Sequence, residues 1–116
     1  MIKVIIAGGR FFTNYEKLEE RCDYYLQTLN NIEIVSGAQR GADKLGERYA
    51  KQRGYPIKPF EPNWDKYGNS AGPIRNREMA EYADLLIAFW DGMSRGTANM
   101  IKQAKENGLQ IRIVNY

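Results

Sequence analysis

The 116-residue chain predicts an α/β fold: a five-stranded parallel sheet in the order 3-2-1-4-5, covered by helices on both faces as a three-layer sandwich. Three observations predict it. Short apolar runs alternate with segments of helical periodicity, in the order β-α-β-α-β-α-β-α-β. Glycine-rich turns follow the first, second and fourth runs. The runs Val4–Ala7 and Leu85–Trp90 are nearly free of polar residues, as strands buried on both faces are.

The first strand is Ile2–Ala7, closed by Gly8-Gly9-Arg10. Thr13 and Glu16 stand at capping-box spacing, and Tyr15, Leu18, Cys22, Tyr25, Leu26 and Leu29 then give one helix face. Ile32–Val35 is the second strand. The turn Ser36-Gly37-Ala38-Gln39-Arg40-Gly41-Ala42-Asp43 leads into a helix whose apolar face holds Ala42, Leu45, Tyr49 and Ala50, ending at Gly54. Pro56–Phe60 makes a short third strand, placed near an edge by its two prolines. Residues 61–72 show no periodicity and read as a long loop with Trp64 and Tyr67. Pro73 fits the first turn of a third helix with Ile74, Met79 and Ala83 inward. Asp84–Trp90 is the fourth strand. The turn Asp91–Thr97 joins it to a helix carrying Ala98, Ile101 and Ala104, and Gln110–Val114 is the fifth strand.

Length and composition set bounds. One domain is expected over residues 1–116, without linker or repeat. No apolar run approaches membrane-spanning length, and no basic leader precedes the first strand, so a cytoplasmic setting is expected. The single cysteine excludes an internal disulfide, and no histidine is present, so no metal or other cofactor is expected. The net charge of +3, from 17 basic and 14 acidic residues, is too modest to argue for nucleic acid by itself.

In a parallel sheet the three glycine-rich turns emerge on one edge. Each helix behind them presents unpaired N–H groups and a positive dipole end. A phosphate is well accommodated there. Where the winding reverses, between the first and fourth strands, open α/β sheets hold their ligands. In Ser94-Arg95-Gly96-Thr97, Thr97 either caps the helix or binds a phosphate oxygen, and Arg95 pairs with the anion or is merely solvated. In the second turn, Asp43 holds a ribose hydroxyl or serves the helix dipole. Arg75-Asn76-Arg77 sets two cations at the start of the third helix, against the dipole. A bound anion explains that placement, and pairing with Glu78, Glu81 or Asp84 is the bland alternative. Trp64 and Tyr67 are open as base-stacking or packing residues, and Trp90 is read as core. No turn is a GxGxxG fingerprint or a P-loop with its lysine, which weakens a dehydrogenase or NTPase reading.

Four segments, IIAGGR, IVSGAQRGAD, YGNSAGPIRNREM and IAFWDGMSRGTANMI, together resemble the YspA branch of the SLOG superfamily over nearly the whole chain. That superfamily also includes the LOG phosphoribohydrolases and DNA-processing protein A. The resemblance implies a Rossmann-like fold binding a nucleotide or an NAD- or ADP-ribose-derived molecule, and a homodimer or higher homo-oligomer. By motif position it implicates Gly8, Gly9 and Arg10, then Ser36, Gly37, Arg40, Gly41 and Asp43, then Arg75, Asn76 and Arg77, and finally Gly96 and Thr97. Asp91, Ser94 and Arg95 complete the expected binding set. LOG enzymes carry PGGxGTxxE, whose glutamate helps cleave the N-glycosidic bond; here Met100 stands at that position. Asp43 and Asp91 are the substitutes considered. The departure favours a sensor or sequestering protein, in bacterial or phage conflict, over a nucleotide hydrolase. Single-stranded DNA binding through Arg10, Arg40, Arg75, Arg77 and Arg95 is the third reading.

Overall fold

A computed structural model describes residues 1–116. The strands are β1 (Ile2–Gly8), β2 (Ile32–Ser36), β3 (Ile57–Pro59), β4 (Leu85–Trp90) and β5 (Gln110–Asn115). All pairings are parallel and the order is β3-β2-β1-β4-β5, as the alternation predicts. The fold is Rossmann-like. The prolines do place β3 at an edge.

Alternate residues of β1 feed two cores. Val4 and Ile6 point into one with Leu18, Cys22 and Tyr49, beneath α1 (Tyr15–Leu26) and α2 (Ala42–Arg53). Ile5 and Ala7 point into the other with Met79, Met100 and Ala104. That second layer is α4 (Ala71–Tyr82) and α5 (Arg95–Glu106). The period-two alternation therefore divides one apolar strand between both faces; α1, α2 and α5 supply apolar stripes, whereas α4 buries Arg75 and Asn76 beside Met79 and Ala80.

Several local expectations need correction. The cap of α1 is Asn14, whose Oδ1 accepts from the Lys17 N–H at 3.1 Å; Thr13 is not the capping residue. Residues 61–72 are not a plain loop. They hold a one-turn helix, α3 (Trp64–Tyr67), and a 3₁₀ turn at Gly68–Ser70. A four-residue helix is too short to show a 3.6-residue period. The next helix starts at Ala71, before Pro73, so Pro73 still lies within the first turn, where its missing N–H costs nothing. The earlier start moves Arg75 beyond the first turn, and the dipole cost ascribed to it lapses. The cap of α5 is Ser94, and Thr97 lies one turn in.

No helix is long and apolar enough to cross a membrane.

Candidate functional site

A cavity of about 320 Å³ opens at the carboxyl edge of the sheet, between the ends of β1 and β4. Its floor is Ala7 and Gly8 of β1 with Met79 and Met100 beneath. Ser94, Arg95, Gly96 and Thr97 form one wall, at the start of α5. Arg75 and Asn76 of α4 form another, and Arg10, Gln39 and Trp64 rim the opening. Its size is in the range of small-molecule sites.

The start of α5 is unoccupied by protein. Asp91 Oδ1 accepts from the N–H groups of Met93 and Ser94, both at 2.8 Å, and the Ala98 N–H goes to the Ser94 carbonyl. The N–H groups of Arg95, Gly96 and Thr97 have no partner in the chain. A Cβ built on Gly96 meets nothing within 4 Å, so the backbone is bare on that side. The Thr97 hydroxyl is buried and lies 3.3 Å from that of Ser94. Two hydroxyls, three free amides and a dipole end converge there.

Arg75 is 7% exposed. Its Nη1 donates to the Gly37 carbonyl at 2.5 Å and its Nε to Asn76 Oδ1 at 2.9 Å. Asn76 in turn donates to Asn99 Oδ1 at 3.0 Å, tying α4 to α5. The guanidinium is thus fixed by neutral oxygens, and no carboxylate lies within 4.0 Å of it. Burial lowers its pKa from the ordinary arginine value, while the charge of Asp43 opposes that. Asp43 is the one acidic residue lining the cavity. It is 4% exposed, and its Oδ2 accepts from the Gln39 N–H at 3.3 Å. Burial pushes its carboxyl up to about 7, against Arg75 and the backbone amides of Gln39 and Gly8. Gly37 separates the two groups: a Cβ there would lie 2.6 Å from Asp43 Oδ2 and 2.8 Å from Arg75 Nη1.

The structure brings Gly8, Arg10, Asp43, Arg75, Asn76, Ser94, Arg95, Gly96 and Thr97 together around this cavity. It leaves the other named residues out. Arg77 is exposed and lines no part of it. At 3.6 residues per turn, two helical residues two apart point about 200° from one another, so Arg75 and Arg77 cannot share the site. Arg40 lies over the Phe11 ring at 5.1 Å. The Ser36 hydroxyl is consumed, bonding Glu47 at 2.7 Å and accepting the Ala38 N–H at 3.0 Å. A methyl on Gly9 would overlap the Tyr116 hydroxyl, and one on Gly41 would overlap the backbone of Gly9 and Arg10. Those two glycines serve packing between turns. Asp91 is exposed and lies outside the cavity; its two amide donors hold its carboxyl below the usual range. Trp90 packs partly buried on the second core, its indole N–H on the Ser94 carbonyl at 3.1 Å.

Gln39, Asn99, Met79 and Trp64 also line the cavity. Trp64 was legible only as an open alternative. The other three lie within the motif segments but were not singled out: Gln39 sits mid-turn, Asn99 and Met79 mid-helix.

The comparisons with known proteins agree with this architecture. The chain is 30% identical to the Gene 61 protein of Mycobacterium phage D29, over all of this chain and 97% of that protein. The structure of DNA processing protein A (DprA) from Streptococcus pneumoniae superposes with a TM-score of 0.77 at 20% identity, covering 100% of this chain. This chain spans about half, 51%, of that longer one. The structure of TM1055 superposes with a TM-score of 0.70 at 20% identity, covering 96% of this chain and 72% of its own. These two likenesses show the fold. A family model described as "YspA, cpYpsA-related SLOG family" matches residues 2–67, more than half of the chain. Together with the phage relative it establishes that the chain belongs to the YspA, cpYpsA-related SLOG family.

Proposed function

We propose that the protein binds a phosphate-bearing nucleotide or an NAD- or ADP-ribose-derived molecule, as a sensor or sequestering protein. One observation carries the reading: the free amides at the start of α5 face a cavity lined by Arg10, Arg75 and Arg95 and a single carboxylate. Three guanidinium groups against one acid that burial favours neutral leave a site in need of an anion. Asp43 is the acceptor for a ribose hydroxyl. The relative encoded by a phage supports a role in conflict between bacteria and phages.

Titration calorimetry with ADP-ribose and AMP tests it. Arg95→Ala weakens binding roughly 10- to 100-fold, the worth of a charge-assisted hydrogen bond, and Arg77→Ala leaves it unchanged. Equal losses in the two variants, or no binding of either compound, count against the assignment.

A second reading, N-glycosidic hydrolysis, draws on Asp43. A buried carboxyl titrating near 7 in a cavity suits a general acid or base. Met100, at the LOG glutamate position, is buried and has no proton to give. Release of free base from a nucleoside monophosphate, abolished by Asp43→Asn, would establish this activity. The likeness to DprA keeps single-stranded DNA as a third reading, which requires affinity that falls steeply with salt.

A further inference from the structure

The cavity has a neighbour. A second chamber of about 310 Å³ lies between the Gly37–Gln39 turn and the segment Glu61–Pro62. The two chambers share Gln39, Trp64 and Arg75 and no other residue. Their linings differ. The first holds Arg10 and Arg95 besides Arg75; the second holds a carboxylate, Glu61, and no further cation.

Trp64 stands at their junction and is 55% exposed. No aromatic ring or cation of the chain stacks on it, although other aromatic side chains here are paired in both ways. Its position is nonetheless fixed. Asn63 caps the turn through the Lys66 N–H at 3.1 Å, the Gly68 N–H returns to the Trp64 carbonyl, and the far ring edge lies over Gly72, 3.7 Å from where a Cβ would be. A large, positioned and unstacked indole between two chambers is apolar surface held open to water.

Resting on the phosphate reading above, we infer that the ligand has two parts: its phosphate lies in the first chamber, and a nucleobase stacks on Trp64 in the second. Arg75 lies under the junction, and Glu61 faces base or sugar donors. The occupant is a free small molecule, since each chamber is of small-molecule size and the net charge is only +3.

Calorimetry with ribose 5-phosphate, adenosine and AMP separates the parts. Stacking on an aromatic side chain makes AMP bind roughly 10- to 100-fold more tightly than ribose 5-phosphate. Trp64→Ala brings AMP down to the level of ribose 5-phosphate and leaves the sugar phosphate unchanged, while Trp64→Phe keeps most of the gain. Equal affinity for AMP and ribose 5-phosphate in the wild type overturns the base subsite alone. So does a Trp64→Ala variant that weakens both compounds equally. Adenosine binding as tightly as AMP, or no binding of any of the three, overturns the phosphate reading beneath it. A thymidine oligonucleotide that displaces AMP overturns the free small molecule as occupant; failure to displace it supports that occupant.

Discussion

Two turns of similar composition, before α2 and before α5, are put to opposite uses. Both combine a serine, an arginine and a glycine ahead of a helix. Before α2, the hydroxyl and several amides are used inside the chain, although the N–H groups of Arg40, Gly41 and Asp43 are free there as well. The Ala42 N–H goes to the Gly9 carbonyl at 3.2 Å, the Lys44 N–H to the Gln39 carbonyl at 3.1 Å, and the Ser36 hydroxyl to Glu47. Gly41, at φ +86°, is pressed on the Gly9–Arg10 backbone. Before α5, three amides are free and a Cβ on Gly96 would meet nothing within 4 Å. A glycine and a hydroxyl at a strand–helix turn therefore do not in themselves mark a ligand. What marks it is whether packing has already used them.

The largest effect that would break the comparison is at Gly41. An alanine there meets both a left-handed backbone and overlap with the Gly9 and Arg10 backbone. Gly41→Ala is expected to destabilise the fold by about 3 kcal/mol or more. Denaturant unfolding reads it; a loss under about 1 kcal/mol would mean the turn is not held by packing.

Asp43 sharpens the contrast, because it belongs to the consumed turn yet lines the open cavity. Its carboxyl is raised from 3.8 to about 7 in the folded state, so the folded chain holds the proton more tightly than the unfolded one. The contribution of Asp43 to stability is full below about pH 4 and is lost as pH rises towards 7, by roughly 2–4 kcal/mol. Asp43→Asn removes that decline. Parallel slopes for the two proteins across this window would show that the carboxyl is not buried uncharged.

The smallest effect carries an opposite sign. Gly96→Ala places a methyl in open space inside a helix and is expected to stabilise the chain by about 0.5–1 kcal/mol. The same methyl stands where the anion approaches, so ADP-ribose binding weakens. A variant that is more stable and binds unchanged would separate Gly96 from the site.

The fold was legible because each element carries a local signal. The apolar runs set the strands, the prolines set the edge, and Gly54, with its left-handed backbone, closes α2. The candidate site was legible in part. Arg75, Asp43 and the turn Ser94–Thr97 stood out as charge and glycine beside predicted helix starts. Arg77 misled, because a motif written along the sequence ignores the turn of the helix. Ser36 misled for another reason: its partner Glu47 is 11 residues away and no local rule brings it there. Gln39, Asn99 and Trp64 come from three segments that meet only when the sheet is assembled.

Amide chemical-shift mapping tests the central claim most directly. With ¹⁵N-labelled protein titrated with ADP-ribose, the account predicts the largest shifts at the N–H groups of Arg95, Gly96 and Thr97, with smaller ones at Ala42 and Lys44, which flank Asp43. Shifts concentrated at Gly41, Ala42 and Lys44, with the start of α5 unmoved, would contradict it.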